Sequence, residues 1–403
     1  MTVTLDDLEL ARRRLSGIAQ ATPLIRSETL SHVIGGEVFI KPENLQKTGS
    51  FKIRGAYNRI AALSPEDKRR GVIAASAGNH GQALAYAASR AGVKATVVMP
   101  TTAAIAKILA TRSYGPTLVL EGSDYQEARR AAQRICTESG AILVDAFDDP
   151  HVIAGQGTVA LEIADELKPD LVFVPTGGGG LLAGIAVAVA ARMPETRVIG
   201  VEAAGSAQLS ASLSADAPVS IGQPVDTIAD GLATGKIGAI PFQLIRGRVK
   251  RVVTVNDFEI GEALLLMLER MKLLAEGAGA AALAGAIKIA EELRGQRIVV
   301  VISGGNIDIT LLDRVIGHGL AKVGRLYRIA INLRDRPGEL GRLADAIGKT
   351  GANVRSIDHN RTRRDVPIGK AHVVLELETR GPDHIAEIHA HLRRSGYEIT
   401  EEN

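Results

Sequence analysis

The sequence predicts an α/β protein of open, twisted, mostly parallel sheets with helices on both faces, followed by a smaller unit of β-α-β-β-α-β order. Three observations predict it. Continuous apolar runs such as Leu171–Val174 and Ile298–Ile302 recur along the chain, as expected of strands buried on both faces. Helical patterns of roughly 10–15 residues separate them, which makes successive strands parallel. The composition also shifts near Gly324: residues 325–403 carry 14 Lys/Arg and 12 Asp/Glu in 79 positions, a denser charge than the rest of the chain.

The bulk numbers bound the answer. A chain of 403 residues holds two or three domains, and 46% hydrophobic with 23% charged residues is an ordinary globular balance. A net charge of +3 gives no argument for nucleic acid or an anionic membrane. The single cysteine, Cys136, excludes an intramolecular disulfide and fits a reducing compartment. The start, Met1-Thr2-Val3-Thr4-Leu5-Asp6-Asp7, lacks the apolar core of a signal peptide, and no apolar run reaches the roughly 18 residues of a membrane span. A cytoplasmic location is therefore expected. The 43 glycines, against six Tyr, six Phe and no Trp, point to tight turns and close backbone approaches.

In order, residues 5–20 read as an amphipathic helix with Leu8, Leu10, Leu15 and Ile18 apolar. Pro23–Ile25 and Val38–Ile40 read as short strands. A helical pattern then runs from Lys52 through Tyr57, Ile60 and Leu63. Strands follow at 71–75, 95–99, 117–120 and 141–144, then at 171–174, 197–201, 251–255 and 297–302. Residues 203–230, rich in Ala, Ser, Gly and Pro, read as a surface excursion. Asn256 and Asp257 are good caps for the helix after them. In the tail, strands at 327–333, 353–360, 370–378 and 397–399 alternate with helices at 338–350 and 383–395, which is the ferredoxin-like order.

Lys52 draws attention because it sits in the first turn of its helix, with Ser50 as a cap candidate. The positive helix N-terminus disfavours a cation there, lowers the amine's pKa and suits it to nucleophilic or Schiff-base chemistry. The plainer reading is a solvated surface lysine. Three loops at the C-terminal ends of parallel strands weigh against that reading: Ser76–Gly81, Pro175–Leu181 and Ser303–Asn306. The run Gly177-Gly178-Gly179-Gly180 opens a helix, and its backbone amides can surround a phosphate.

Two competing patterns exist. Gly178-x-Gly180-x-x-Ala183, with Glu202 ending the next strand, matches a dinucleotide fingerprint and supports an NAD(P)-dependent oxidoreductase. That reading leaves Lys52 and the other two loops unexplained. Gly231-x-x-x-Gly235-Lys236-Ile237 fails the P-loop pattern in spacing and in its last residue.

Lys41-Pro42-Glu43-Asn44-Leu45-Gln46-Lys47-Thr48-Gly49-Ser50-Phe51-Lys52-Ile53-Arg54-Gly55, with Ser76-Ala77-Gly78-Asn79-His80-Gly81, Gly177–Leu181 and Ser303-Gly304-Gly305-Asn306, resembles the tryptophan-synthase-β-like (fold type II) pyridoxal phosphate enzymes. Within them the resemblance is strongest to threonine ammonia-lyases (threonine dehydratases), with serine racemases nearby. It covers about residues 5–320. It implies a two-lobed catalytic domain at 1–324, with a small lobe of about 45–150 inserted in the large one. Residues 325–403, with Arg334-Asp335-Arg336-Pro337-Gly338-Glu339-Leu340, resemble an ACT regulatory domain.

The resemblance implies roles residue by residue. Lys52 binds pyridoxal 5'-phosphate covalently, Phe51 packs on its ring, and Asn79 bonds the ring hydroxyl. The amides of Gly177, Gly178, Gly179, Gly180 and Leu181 hold the phosphate, and Ser303 meets the pyridine nitrogen. Ser76, Ala77, Gly78, Asn79 and His80 bind the substrate carboxylate. A neutral serine at the ring nitrogen favours prompt β-elimination over a long-lived carbanion. The implied reaction converts L-threonine to 2-oxobutanoate and ammonia, and L-serine to pyruvate. A 3-hydroxyaspartate ammonia-lyase and a serine racemase-like enzyme are the near alternatives. Ala77 stands where racemases carry a second serine, which favours elimination. For a divalent metal Glu202 fits the first ligand position, but Gln208 stands at the second, which disfavours such a metal while leaving Glu202 a candidate ligand; a monovalent cation stays open. In the tail, an amino-acid effector is expected near Asp335, Pro337, Gly338 and Asn353; a dimerisation module without ligand is the alternative. A homo-oligomer is expected.

Overall fold

A computed structural model describes residues 2–222 and 225–401; Gln223 and Pro224, within the expected surface excursion, lie outside them. The chain divides into two compact units, Met1–Ile309 and Thr310–Asn403. The division falls at the first residue of the helix Ile309–Lys322, earlier than the compositional break at Gly324.

The first unit contains two sheets. The larger is formed by β1 (Ile25–Arg26), β2 (Glu37–Pro42), β7 (Leu171–Pro175), β8 (Arg197–Ala203), β9 (Arg251–Val255) and β10 (Arg297–Ile302), in the order β1-β2-β10-β7-β8-β9. Only the edge strand β1 runs antiparallel. The smaller sheet comprises β3 (Val72–Ala75), β4 (Ala95–Met99), β5 (Thr117–Leu120) and β6 (Ile142–Leu143), all parallel, in the order β5-β4-β3-β6. Its whole sequence lies between β2 and β7, so the small sheet is an insertion in the large one. Every residue of β7 is buried, as its continuous apolar run requires.

Strand order fixes where a ligand can sit. From β7 the chain adds β8 and β9 on one side, and β10 returns to the other. From β3 it adds β4 and β5 on one side, and β6 returns to the other. Each reversal opens a crevice at the C-terminal strand ends. The residues after those ends are Thr176–Gly180 and Ser303 in the large sheet, and Ser76–Gly78 and Val144–Ala146 in the small one.

The glycines let helices approach closely. The helix Pro150–Glu166 packs on the helix Gly180–Arg192. A Cβ at Gly184 would stand 2.5 Å from the Gly157 nitrogen and 2.5 Å from the Ile153 carbonyl oxygen. Leu8, Ile153, Leu161, Val172, Leu182 and Ile185 are part of the core at this contact.

Several local expectations need correction. The first helix is Leu5–Leu15 and stops short of residue 20; Gly17, at φ +74°, lies just beyond it. Leu10 is largely exposed, whereas Leu8, Ala11 and Leu15 are buried. The strand expected at Pro23–Ile25 is only Ile25–Arg26. A helix at Glu28–Ile34 was not foreseen, although Ser27 caps its start and Gly35 ends it in the left-handed region. Residues 203–230 hold a helix, Gln208–Ala215, with Leu209 and Ser212 buried, so this stretch is not merely a surface excursion.

In the second unit, β11 (Leu326–Arg334), β12 (Asn353–Asn360), β13 (Lys370–Glu378) and β14 (Ile399–Glu401) form an antiparallel sheet in the order β12-β13-β11-β14. The helices Glu339–Gly348 and Pro382–Arg394 complete it. Ile329, Ile331, Leu343, Ile347, Leu375 and Ile388 form its core.

Candidate active site

Lys52 is the first residue of the helix Lys52–Ala61. The residue before it, Phe51, takes the cap position in a helical conformation and makes no side-chain cap bond. Ser50 is not the cap, and its buried hydroxyl has no partner. The preceding loop lies against the loop after β10: the Phe51 amide donates to the Ser303 carbonyl at 3.1 Å, and the Gly305 amide to the Gly49 carbonyl at 2.9 Å. Gly49 has φ +70°, and a Cβ there would stand 2.5 Å from the Asn306 side-chain oxygen.

Beneath the lysine lies an ion network the sequence reading left without a role. The Arg54 guanidinium donates to both oxygens of Glu43, at 2.7 and 2.8 Å, and to both oxygens of Glu162, at 2.5 and 2.9 Å. Lys41 Nζ lies 2.7 Å from Glu162. Arg54, Glu43 and Lys41 are fully buried. Burial pushes the Glu43 carboxyl up, but Arg54, with Thr22 and Lys41, holds it below the ordinary value.

The Lys52 amine donates to the Ala146 carbonyl at 2.8 Å and sits 5.2 Å from the centre of the Phe51 ring. Burial lowers its pKa to about 8, against the opposing charges of Asp145 and Glu276. The leading cause is thus desolvation, where the sequence argument had relied on the helix terminus.

A cavity of about 350 Å³ opens at the two sheet reversals. Lys52, Phe51, Ser76–His80, Gly177–Leu181 and Ser303 all line it. The helix Gly180–Arg192 points its N-terminus into this space, and its cap residue Gly179, at φ +91°, provides no side-chain bond to the first turn. First-turn amides have no partner within their own helix, so they are available to an anion. The cradle admits no side chain: a Cβ at Gly178 would stand 2.3 Å from the Phe147 ring. Ser303 is buried, and its hydroxyl donates weakly to the Ala278 carbonyl at 3.3 Å. His80 bonds through Nε2 to the Val144 carbonyl at 2.9 Å. Because that oxygen only accepts, Nε2 carries the proton, and the buried Nδ1 has no partner. Burial and the nearby Lys52 charge lower the His80 pKa to about 4, so the ring is neutral at physiological pH.

Sequence reasoning gave no role to Glu276, Lys107 or Asp230, nor to Asn306 beyond its place in the Ser303–Asn306 loop; all four line the cavity. Glu276 accepts from the Asn79 amide nitrogen at 2.6 Å. Burial raises its pKa to about 7, aided by Asp230 and opposed by Asn79, Lys107 and Lys52. Lys107 and Asp230 form an ion pair. A cap-position carboxylate followed by Gly-Ala-Gly was the one sign of Glu276 in the sequence.

Glu202 does not reach the cavity. Both its oxygens accept backbone amides, from Leu209 at 2.9 Å and Ser210 at 3.0 Å, so it serves the start of the helix Gln208–Ala215. Burial raises its pKa, with these amides opposing. Gln208 points its amide at the Gly177 carbonyl, 2.9 Å away, and at the Thr234 hydroxyl, 3.1 Å away. Among the described residues, no group of three or more acidic, His or Cys side chains could hold a metal. Glu202 thus faces a helix start and not the cavity, which removes the geometric basis of the ribose reading.

In the second unit, Asp335 accepts from Arg361 at 2.9 Å, and Gly338, at φ +85°, caps the helix Glu339–Gly348. Asn353 bonds Glu378 at 3.0 Å. Arg334 pairs with Lys370 and Asn353 with Glu378, at opposite ends of β13. Within one chain Asn353 is thus roughly 27 Å from the Asp335–Gly338 turn, and the two do not form one pocket.

A family model described as pyridoxal-phosphate dependent enzyme matches residues 15–304. The chain is 48% identical to the L-threonine ammonia-lyase of Thermotoga maritima over 98% of its own length and 99% of the relative's. Among solved structures it is similar to the processed threonine deaminase isoform 2 of Solanum lycopersicum, with TM-score 0.73 and 37% identity over 78% of this chain and 94% of that one. Maize serine racemase gives TM-score 0.75 at 31% identity, covering 80% and 99%.

Proposed function

The chain belongs to the family of pyridoxal-phosphate dependent enzymes, and from that premise we propose that it deaminates L-threonine to 2-oxobutanoate and ammonia, and L-serine to pyruvate. One observation carries the reading: an amine of lowered pKa and an uncapped, glycine-built helix N-terminus open on a single cavity. A phosphorylated ring with a carbonyl group fits that pair, and the clash a Cβ would make at Gly178 explains why the cradle is glycine. Near-full-length similarity to an L-threonine ammonia-lyase supports the choice of substrate.

In this reading the amides of Gly177–Leu181 hold the phosphate and Phe51 packs on the ring. Asn79 donates to the ring hydroxyl. Ser303, whose hydroxyl makes only a weak bond to the Ala278 carbonyl, would be free to meet the ring nitrogen. The substrate carboxylate lies against Ser76–His80. The cofactor supplies the electron sink that makes the substrate α-proton acidic. Lys52 takes that proton from one face. Ala77 offers no second base to return a proton from the other face; the β-hydroxyl would leave as water together with the α-proton, and hydrolysis of the released enamine would give the keto acid and ammonia.

We read residues 325–403 as a ferredoxin-like, ACT-type regulatory domain with an amino-acid effector at the Asp335–Gly338 turn, and the whole as a homo-oligomer. Keto-acid release from L-threonine, L-serine and 3-hydroxyaspartate, with and without branched-chain amino acids, tests the reading. Threonine is expected to be the best substrate. Release from none of the three, or unchanged activity after Lys52→Ala, would overturn it.

A further inference from the structure

A chain of side-chain amides runs beside the cavity and ends on a carboxylate that the scheme above leaves without a task. It starts at the Thr48 carbonyl, four residues before Lys52. That oxygen only accepts, so the Asn306 nitrogen, 2.9 Å away, must face it. The same nitrogen lies 2.6 Å from the Asn79 side-chain oxygen and donates its other hydrogen there. The amide orientation of Asn79 follows: its oxygen is held by Asn306 and its nitrogen is turned to Glu276, 2.6 Å away. One N–H of Asn79 is left over. Gly304 packs over this junction, where a Cβ would stand 2.4 Å from the Glu276 oxygen and 3.2 Å from the Asn79 nitrogen.

We propose that Glu276 is a positioning residue: with Asn306 it locks the Asn79 amide so that an N–H, and not the carbonyl, is presented to the oxygen on the cofactor ring. The proposal rests on the reading of the cavity as a pyridoxal phosphate site. A donor there stabilises a ring oxygen that carries negative charge, whereas a flipped amide would repel it. Glu276 is faced by Asn79 from the helix Asn79–Ala91, by Lys52 from its own helix, by Lys107 from the helix Ile105–Arg112, and by Asp230. Its carboxyl changes charge near neutral pH. The ionised form polarises the Asn79 N–H more strongly than the neutral form, so the ring senses that titration through Asn79.

Wild type, E276Q, E276A and N306A are stripped of cofactor and titrated with pyridoxal phosphate across pH 6–9, following the visible absorbance of the lysine-bound cofactor. E276A is expected to weaken uptake about tenfold, the loss of one charge-assisted hydrogen bond, and N306A to do the same from the other end of the chain. E276Q keeps an acceptor oxygen. It should restore affinity to within about threefold of wild type, yet lose the absorbance change centred near pH 7. Wild-type affinity in both E276A and N306A, or an unaltered pH transition in E276Q, would overturn the proposal. So would E276Q binding as poorly as E276A. Should E276A not fold, E276Q and N306A still decide the matter. A wild type that takes up no pyridoxal phosphate would overturn the cofactor reading itself, and the proposal with it.

Discussion

The Lys52 amine bonds the carbonyl of Ala146 at 2.8 Å, which ties the lysine loop beside the large sheet to the segment that follows the small sheet's last strand. The contact places an amine of lowered pKa where both sheets reverse their strand order.

Lys52 should govern both cofactor uptake and apoenzyme stability through pH. Its folded pKa, about 8, lies below the ordinary value of 10.5 because of burial. The folded apoenzyme therefore carries a penalty for the buried charge that is complete below pH 8. The penalty is relieved as pH rises towards the unfolded value. Cofactor capture, which needs the neutral amine, should accelerate on raising pH through about 8 and then level off. Lys52→Met should abolish capture. It should also raise apoenzyme stability at pH 7, on the order of 2 kcal/mol, with the gain vanishing above about pH 10. Stopped-flow absorbance and thermal unfolding across pH read both effects.

Arg54, itself buried, neutralises Glu43 and Glu162. Arg54→Met leaves both carboxylates without their guanidinium, with Lys41 as the remaining cation and the Thr22 hydroxyl bonded to Glu43. Removing one partner of a buried ion network costs about 3–5 kcal/mol, and denaturant unfolding should show a loss of that order. The Glu43 pKa is held down in the folded state. Its stabilising share is therefore present above the unfolded value and is lost as pH falls through the folded one. In the variant, this part of the acid sensitivity should disappear.

Much of this was legible in the sequence because periodicity and turn chemistry act locally. β12 and β13 fall where the alternation placed them, and the glycine run at 177–180 does open a helix. What could not be read was set by contacts distant in sequence. Glu276 lies 197 residues from Asn79 and Asn306 lies 227 from it, so no spacing rule joins them. The strand expected at Pro23–Ile25 lies instead at Ile25–Arg26, because its extent is set by pairing with β2 and not by a pattern of its own. Glu202 stands at a strand end where a ligand group would also stand. Only the two amides it accepts show that a helix start uses it. The effector residues were grouped by loop and strand position, and antiparallel pairing separated Asn353 from the others.

Two glycine substitutions should separate stability from cofactor binding. At Gly184 a methyl group would press on the backbone of Gly157 and Ile153, which cannot yield without moving a helix. Gly184→Ala should destabilise by about 1–3 kcal/mol in thermal unfolding while the remaining folded fraction still takes up cofactor. At Gly178 the methyl group would meet the Phe147 ring, a side chain that lines the cavity and not helix backbone. Gly178→Ala should weaken pyridoxal phosphate binding about tenfold or more, with a smaller effect on apoenzyme unfolding.

Ala77 tests the choice between elimination and racemisation. Its methyl lines the cavity beside Asn79 and carries no ionisable hydrogen. In the proposed scheme Lys52 is the single base, so a proton removed from one face of the substrate would not be replaced on the other and loss of the β-hydroxyl would win. Ala77→Ser adds a hydroxyl at the position where serine racemase-like enzymes carry one. If that hydroxyl delivers a proton to the opposite face, D-serine should accumulate from L-serine at least about tenfold faster than in wild type, since general acid–base groups contribute that much or more. Pyruvate release should fall in proportion, because both products draw on the same deprotonated substrate. Chiral chromatography alongside a keto-acid assay measures the ratio directly. A variant that forms no additional D-serine while retaining pyruvate release would show that Ala77 does not face the reacting carbon, and the one-sided character of the reaction would then need another source.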